Sequence, residues 1–281
     1  MNDLIRSYAK NLNDAYGGML KIDDSSLEGI SVDGNIFEAP EVRASKVCEA
    51  AYDKIFSDPA NSRLQCEIAR RVDKIAKAGY KTALPAAEDI GVTPRDRTVR
   101  IMFGAAGGNG ACYDNSNDTI FITVPFAMRE GNVPAKAMAE EYIHAFTNQA
   151  APELMKRCKG SAKRVDLFES PANFIVEGIG QMYARYVKHV NNKELVKAVK
   201  NGNTAAIERL RNDPYHLGYI IMDTMSRAWG RKEAVKEALG IGSAEVLLAR
   251  YTKACEELGE PAVNFMKGAG KLIFDSEDEC P

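Results

Sequence analysis

Residues 139–146 read A-E-E-Y-I-H-A-F, and this stretch decides how the rest of the chain is interpreted. Glu140 and His144 stand four residues apart, so on a helix they lie one turn apart on one face. Glu141 stands three residues before His144 and borders the same face. Because carboxylate and imidazole both bind divalent metals, the spacing predicts a metal-binding pair. A solvated pair of glutamates beside a histidine that is satisfied by ordinary hydrogen bonds is the alternative that these residues leave open.

The residues around this stretch favour a helix. Pro134 suits the first turn of a helix, and residues 135–139 (A-K-A-M-A) are good helix formers. Met138, Tyr142 and Phe146 recur every four residues. Such an apolar stripe is expected to anchor the helix in a core.

Two segments before this helix indicate a small sheet. Residues 98–103 (T-V-R-I-M-F) alternate as a half-buried strand does. In residues 110–124 (G-A-C-Y-D-N-S-N-D-T-I-F-I-T-V), the turn-forming residues 114–118 separate a short strand from a run of β-branched and aromatic residues. We therefore expect a hairpin whose second strand leads into the helix.

Two further helices are predicted downstream. Residues 170–187 read S-P-A-N-F-I-V-E-G-I-G-Q-M-Y-A-R-Y-V, with Ser170 as the cap and Pro171 at the first helical position. Residues 213–225 read D-P-Y-H-L-G-Y-I-I-M-D-T-M.

Glu177 lies inside the apolar part of the first of these helices. A buried carboxylate is costly unless it is paired or binds a metal. Gly178 and Gly180 each cost roughly 1 kcal/mol relative to alanine in a helix interior, which indicates a close backbone approach. Pairing of Glu177 with Arg185 or a nearby lysine is the alternative to metal binding.

Together these segments resemble a zincin-like metallopeptidase domain of the gluzincin type. The zinc helix of that family reads H-E-x-x-H, and here Glu140 stands at the position of its first histidine. Residues 110–124 resemble the edge strand before the zinc helix, residues 170–187 the second zinc helix, and residues 213–225 the Y-x-x-G helix that follows. The resemblance covers roughly residues 98–227, in the family's order.

The resemblance implies an α+β fold, mostly helical, with a small sheet packed on the metal-site helix. It implies that Glu140, His144 and Glu177 bind the metal. The expected cofactor is Zn²⁺, another divalent metal, or none if the exchange at Glu140 has destroyed the site. Two carboxylates beside one imidazole are harder ligands, which favours manganese or iron and makes any bound metal a weaker Lewis acid.

The same resemblance assigns catalytic roles. Glu141 corresponds to the general base, and Tyr215 or His216 to the donor that stabilises the oxyanion. A packing pair at a helix start is the alternative for Tyr215 and His216. The chain is therefore expected to be a metal-dependent hydrolase, most simply a peptidase acting on peptides or proteins.

Two other functions stay open at this point. The first is a catalytically inactive zincin-fold domain that binds a partner or acts as an effector. The second is a ferritin-like carboxylate site, because Glu141 and His144 match E-x-x-H. That fold needs a second copy of the motif, and neither His189 nor His216 follows a glutamate by three residues.

Length and composition set the remaining expectations. The chain has 281 residues, which we divide into a mainly helical region at 1–95 and a zincin-like region at 96–281. Further helices are predicted at 40–56, 62–78, 232–239 and 244–258, with a boundary segment at 81–96.

Charge, hydropathy and cysteine spacing bound the partners and the compartment. A formal net charge of −2 predicts no nucleic-acid partner and no attraction to anionic membranes. No apolar run suits a transmembrane helix or a signal peptide. The six cysteines form no C-x-x-C pair, so reduced thiols are expected. These features favour the cytoplasm, or export without a classical signal peptide.

Overall fold

The computed structural model of the chain describes residues 6, 9–10, 13, 54–55, 58–102, 110–158, 165–185, 190–202, 204–266 and 272–273. The helix predicted at 40–56 falls almost wholly outside these residues, as do His189 and the tail at 275–281. The described residues form two compact units. One contains those up to Gly79 with Arg97–Met138, and the other contains Tyr80–Asp96 with those from Ala139 onward. The predicted division at residues 95 and 96 stays a prediction.

The described part of the chain is mostly helical and contains a small sheet, so the expected α+β class is confirmed. A 3₁₀ turn at Pro59–Asn61 precedes the first long helix. The elements then follow in this order: α1 Ser62–Ile90, β1 Thr98–Met102, β2 Ala111–Asp114, β3 Thr119–Thr123, α2 Val124–Ala127, α3 Val133–Ala150, α4 Pro152–Lys156, α5 Pro171–Ala184, α6 Asn192–Lys200, α7 Thr204–Arg211, α8 Pro214–Trp229, α9 Arg231–Leu239 and α10 Ala244–Glu257.

The sheet has the strand order β1-β3-β2. β2 and β3 are antiparallel and form the predicted hairpin, whereas β1 runs parallel to β3. The turn between β2 and β3 is stabilised by the Asp114 carboxylate, which accepts hydrogen bonds from the Ser116 backbone at 2.9 Å and from the Asn117 side chain at 2.8 Å. Ile120 and Ile122 of β3 are fully buried.

The helix that contains the decisive stretch, α3, is buried at every position from 137 to 147. Met138, Tyr142 and Phe146 are all buried, as their spacing predicted. The rings of Tyr142 and Phe146 stack with centroids 6.4 Å apart, and Tyr80 meets the Tyr142 ring edge-on at 5.3 Å. A helix that is buried on all sides must pair or bind its polar side chains within the protein.

The segment at residues 81–96, expected as a boundary, is helical for most of its length, because α1 continues through Pro85. Proline in a helix interior removes one backbone hydrogen bond and normally kinks or breaks the helix. Here Ala83 and Ala86 on either side are fully buried. Their burial outweighs the local preference against helix. The helix ends at Ile90, and the next residue, Gly91, adopts a left-handed conformation with φ of 82°.

Helix α5 begins at Pro171, as predicted, and α8 begins at Pro214, inside the segment 213–225 that was expected to be helical. Ser170 stands before α5 but does not cap its backbone; its hydroxyl donates to the Asn173 side chain at 2.5 Å. Asp213 does cap α8, because its carboxylate accepts from the His216 backbone N–H at 3.1 Å. The start of α5 was therefore predicted correctly, although the capping bond expected of Ser170 is absent.

Helices α5 and α8 cross at a pair of glycines. A Cβ added at Gly178 would lie 2.4 Å from the carbonyl oxygen of Gly218, and one added at Gly218 would lie 2.3 Å from the carbonyl oxygen of Phe174. Both distances are far below contact distance, so the two backbones touch directly. Gly178 thus has the close backbone approach that its position in a helix indicated.

The C-terminal helices α9 and α10 match the predictions at 232–239 and 244–258 within one residue at each end. None of the described helices combines the length and the apolarity needed to cross a lipid bilayer.

We expect Gly178→Ala to lower the free energy of unfolding by at least about 1–3 kcal/mol, the usual cost of overpacking. The added methyl group would clash with the backbone of Gly218, which cannot move aside as a flexible side chain can. The measurement is chemical denaturation followed by circular dichroism. Gly240→Ala is the matched control, because its nearest neighbour, the Glu237 carbonyl oxygen, would lie at 3.6 Å. Equal stability of the two variants would contradict the tight crossing.

Candidate metal centre

Helix α3 supplies two of the three predicted metal ligands. Glu140 and His144 lie one turn apart, and both side chains are buried, with relative exposures of 3% and 8%. Both lie in the fully buried part of α3, so neither is the solvated surface residue of the alternative interpretation. The polar atoms of both side chains must therefore find partners inside the protein.

Helix α5 supplies the third predicted ligand and a residue that the sequence analysis did not single out. Glu177 is buried, and Gln181, four residues later on the same face, has no exposed surface. The Gln181 side-chain amide donates a hydrogen bond to Oε1 of Glu140. Helices α3 and α5 are thus joined by polar side chains in the interior.

The three predicted ligands converge. Glu140, His144 and Glu177 each offer a ligand atom, and these atoms all lie within 4.8 Å of one another. Nε2 of His144 lies 3.4 Å from Oε2 of Glu177. Both of these atoms are buried, and neither has a hydrogen-bond partner among the described residues. Burial of such a polar atom without a partner costs about 1–3 kcal/mol.

A third buried atom, Oγ1 of Thr147, also lacks a hydrogen-bond partner within the described part of the chain. Thr147 follows His144 by three residues on α3, so it borders the same face. The unsatisfied side-chain atoms found in the described residues therefore all belong to the two helices of this cluster. Native interiors contain few such atoms, and each needs an explanation.

Gly180 leaves space beside the cluster. A Cβ at Gly180 would lie 3.0 Å from Nε2 of His144 and 3.1 Å from Cγ of Glu140. Any side chain at this position would fill the space next to the unpartnered imidazole nitrogen. Gly178 and Gly180 therefore have different roles. Gly178 permits the backbone contact with α8, and Gly180 leaves the space beside Nε2 of His144 free of a side chain.

The electrostatics of the cluster are dominated by burial. Burial raises the pKa of Glu140 well above its ordinary value, and the charge of Glu177 raises it further. Burial alone would lower the pKa of His144, but the carboxylates of Glu177 and Glu141 raise it well above its ordinary value. Glu140 is thus driven toward its neutral form, and the imidazole of His144 is drawn toward its charged form.

The alternative in which Glu177 pairs with Arg185 or a lysine is wrong for the described residues. Among them, the basic group within ion-pair distance of Glu177 is the His144 imidazole at 3.4 Å, and no lysine or arginine lies that close. A divalent cation would balance the two charges of ionised Glu140 and Glu177 beside a neutral imidazole. The residue types, the unpartnered atoms and the space at Gly180 therefore fit a divalent metal.

Glu141 is buried next to the ligands but meets the other side of the imidazole. Its Oε2 lies 3.4 Å from Nδ1 of His144, whereas Nε2 is the nitrogen that lies near Glu177. A carboxylate at Nδ1 favours the tautomer in which Nε2 keeps its lone pair for a metal. In the described conformation Glu141 is therefore placed to orient His144.

Tyr215 and His216 lie in the first turn of α8 and not in the convergent group. Nδ1 of His216 lies 2.9 Å from Oδ2 of Asp213, so this carboxylate fixes the orientation of the ring. Burial opposes the effect, but the hydrogen bonds with His216 hold the pKa of Asp213 below its ordinary value. The role of either residue as an oxyanion donor stays a prediction.

The chain matches no protein-family model, and neither curated proteins nor solved structures give a match.

We expect Gly180→Ala to weaken divalent-metal binding by about 10–100-fold, the range found when groups around metal ligands are changed. The added methyl group would occupy the space beside Nε2 of His144. The measurement is titration with Zn²⁺ and Mn²⁺ in competition with a chromophoric chelator. Gly240→Ala is the control for the same substitution away from the cluster. Unchanged metal affinity in Gly180→Ala would show that this space is not part of a metal site.

Proposed function

We propose that this chain is a metal-dependent hydrolase in which Glu140, His144 and Glu177 hold a divalent ion. The observation that carries the proposal is the pair of buried, unpartnered ligand atoms, Nε2 of His144 and Oε2 of Glu177, 3.4 Å apart. The space at Gly180 beside them supports it. Perturbed ionisable groups gathered in a protein interior are typical of functional sites.

We further propose that the fold is zincin-like and of the gluzincin type. The order of elements supports this: a hairpin, then a helix with two candidate ligands, then a second helix with the third, then a helix that begins with Tyr215 and His216. The exchange of the first histidine for Glu140 is the departure from that pattern.

The roles of the residues follow from their chemistry. A bound divalent ion supplies Lewis acidity, which acidifies water and polarises a carbonyl group. Glu141 is the candidate to accept a proton from that water, because an ionised carboxylate beside a metal can act as general base. His216, oriented by Asp213, and Tyr215 are the candidates to donate a hydrogen bond to an oxyanion. The substrate class that matches these roles is a peptide or protein.

The ligand set bears on which metal binds. Two carboxylates and one imidazole contain more oxygen donors than the usual zinc set of the resembling family. Oxygen donors suit manganese and iron better than they suit zinc. We therefore expect Zn²⁺ to bind more weakly than at a site with two histidines, and Mn²⁺ or Fe²⁺ to compete with it.

The position of Glu141 favours a second candidate function, a non-catalytic domain that binds its metal but does not turn over substrate. Its Oε2 lies next to Nδ1 of His144, where a carboxylate orients the imidazole and does not accept a proton from water. The replacement of the first histidine of the zinc motif by Glu140 also favours a non-catalytic domain. In this case the chain acts by binding a partner.

A substitution at Glu141 distinguishes the two functions. If Glu141 is a general base, Glu141→Gln should keep the metal and lower hydrolysis of unstructured peptides by about 10²–10⁴-fold. The amide cannot accept the proton. Metal content after dialysis and peptide cleavage are both measured, with His144→Ala as the variant that should lose the metal. A parallel fall in metal affinity would instead assign Glu141 to the orientation of His144.

A second substitution tests the exchange at Glu140 itself. Glu140→His restores the common ligand set, so we expect it to tighten Zn²⁺ binding and raise peptide hydrolysis. Cleavage is compared at matched zinc in wild type, Glu141→Gln and Glu140→His. Cleavage by none of the three would favour the non-catalytic domain, and equal cleavage by all three would reveal a contaminating protease.

A further inference from the structure

Gln181 is the buried polar residue of α5 for which the ligand set alone gives no reason. Its side chain has no exposed surface. A buried amide is costly unless it is hydrogen-bonded. A methionine would have nearly the same length and shape at this position without that cost. The hydrogen bond that the amide donates to Oε1 of Glu140 is an interaction that an apolar residue could not make here.

This hydrogen bond changes what Glu140 can offer. A free carboxylate has two equivalent oxygens and can bind a metal through either or both of them. The Gln181 amide holds Oε1 and so fixes the orientation of the Glu140 carboxylate beside the cluster, while its remaining lone pairs stay able to coordinate a metal. An imidazole differs, because the nitrogen that binds the metal has one lone pair, which lies in the plane of the ring. The amide thus gives the carboxylate a direction that it otherwise lacks.

We propose that Gln181 is a positioning residue that fixes the orientation of the Glu140 carboxylate as a metal ligand, at the position where the zinc helix of the family that the chain resembles has histidine. The inference rests on the proposed function, because it requires that the cluster bind a metal. Gln181 lies one helical turn from Glu177 on the same face of α5, so one helix supplies both a ligand and the group that orients a ligand of α3. Mutation of a residue that orients a metal ligand typically lowers metal affinity by about 10–100-fold.

The substitution that isolates the hydrogen bond is Gln181→Met, which keeps the length of the side chain and removes the donor. The probe is Co²⁺, whose visible absorption reports coordination geometry, with affinities for Co²⁺ and Zn²⁺ measured by chelator competition. We expect about 10–100-fold weaker binding and a changed Co²⁺ spectrum. Gln149→Met is the matched control: Gln149 is on α3, and its amide donates to the Thr93 carbonyl, away from the cluster.

A double-mutant cycle separates positioning from packing. The fold loss in Co²⁺ affinity caused by Gln181→Met should shrink in the Glu140→His background, because the imidazole supplies its own direction. An equal loss in both backgrounds would assign Gln181 to packing and overturn the inference. Gln181→Asn is the second variant if Gln181→Met fails to fold. It keeps an amide that is too short to reach Glu140, so it should weaken Co²⁺ binding as well.

The possible failures are distinguishable. Wild type that binds Co²⁺, together with a Gln181→Met variant of the same affinity and the same spectrum, would overturn the role of Gln181 and leave the metal site standing. Wild type that binds neither Co²⁺ nor Zn²⁺ would overturn the proposed function, and the inference about Gln181 would fall with it.

Discussion

The constraint on which the site depends is the burial of two carboxylates beside one imidazole between α3 and α5. Glu140, Glu177 and His144 are each less than 10% exposed. Removing an ionised carboxylate from water is expensive unless a cation or several donors replace the water. Among the described residues, Glu140 receives a hydrogen bond from the Gln181 amide and Glu177 has only the nearby imidazole. The protein therefore maintains an arrangement that its apolar core alone would not favour.

The crossing of α5 with α8 holds this arrangement in place. The contact at Gly178 and Gly218 fixes α5 by its backbone and not by flexible side chains. A helix fixed in this way cannot move away to relieve the unsatisfied atoms of Glu177 and His144. Buried polar groups without hydrogen bonds lower the stability of the folded state, and proteins typically keep such groups at functional sites. The packing of α5 thus explains how the cluster persists, and the chemistry of the cluster explains why it is there.

The sequence predicted the main features of the site because they depend on local spacing. The interval between Glu140 and His144 determines that they share a face, and the proline at the start of α5 determines where that helix begins. The continuation of α1 through Pro85 could not be predicted, because it depends on tertiary burial of the neighbouring alanines. The separate tasks of Gly178 and Gly180 also require knowledge of which helix each residue faces.

Two other features of the site depend on side-chain directions that no spacing rule specifies. Glu141 borders the face of His144 in any helix, but only the structure places its carboxylate at Nδ1. Gln181 follows Glu177 by four residues, which was a usable signal, since a polar residue one turn from a buried glutamate is well placed to join the same cluster. It was missed because glutamine neither binds zinc nor titrates.

The exchange at Glu140 has an electrostatic consequence for a buried metal site. Two imidazoles, one carboxylate and a divalent ion leave one net positive charge, whereas one imidazole, two carboxylates and the same ion are neutral. A net charge in a low-dielectric interior is costly, so the neutral set is the easier one to bury. The same neutrality reduces the Lewis acidity on which hydrolysis depends. A deeply buried site with this ligand set therefore places no net charge in the interior when the metal is bound, but it has less catalytic power. The proposed hydrolase and the proposed binding domain differ in how much of that power is left.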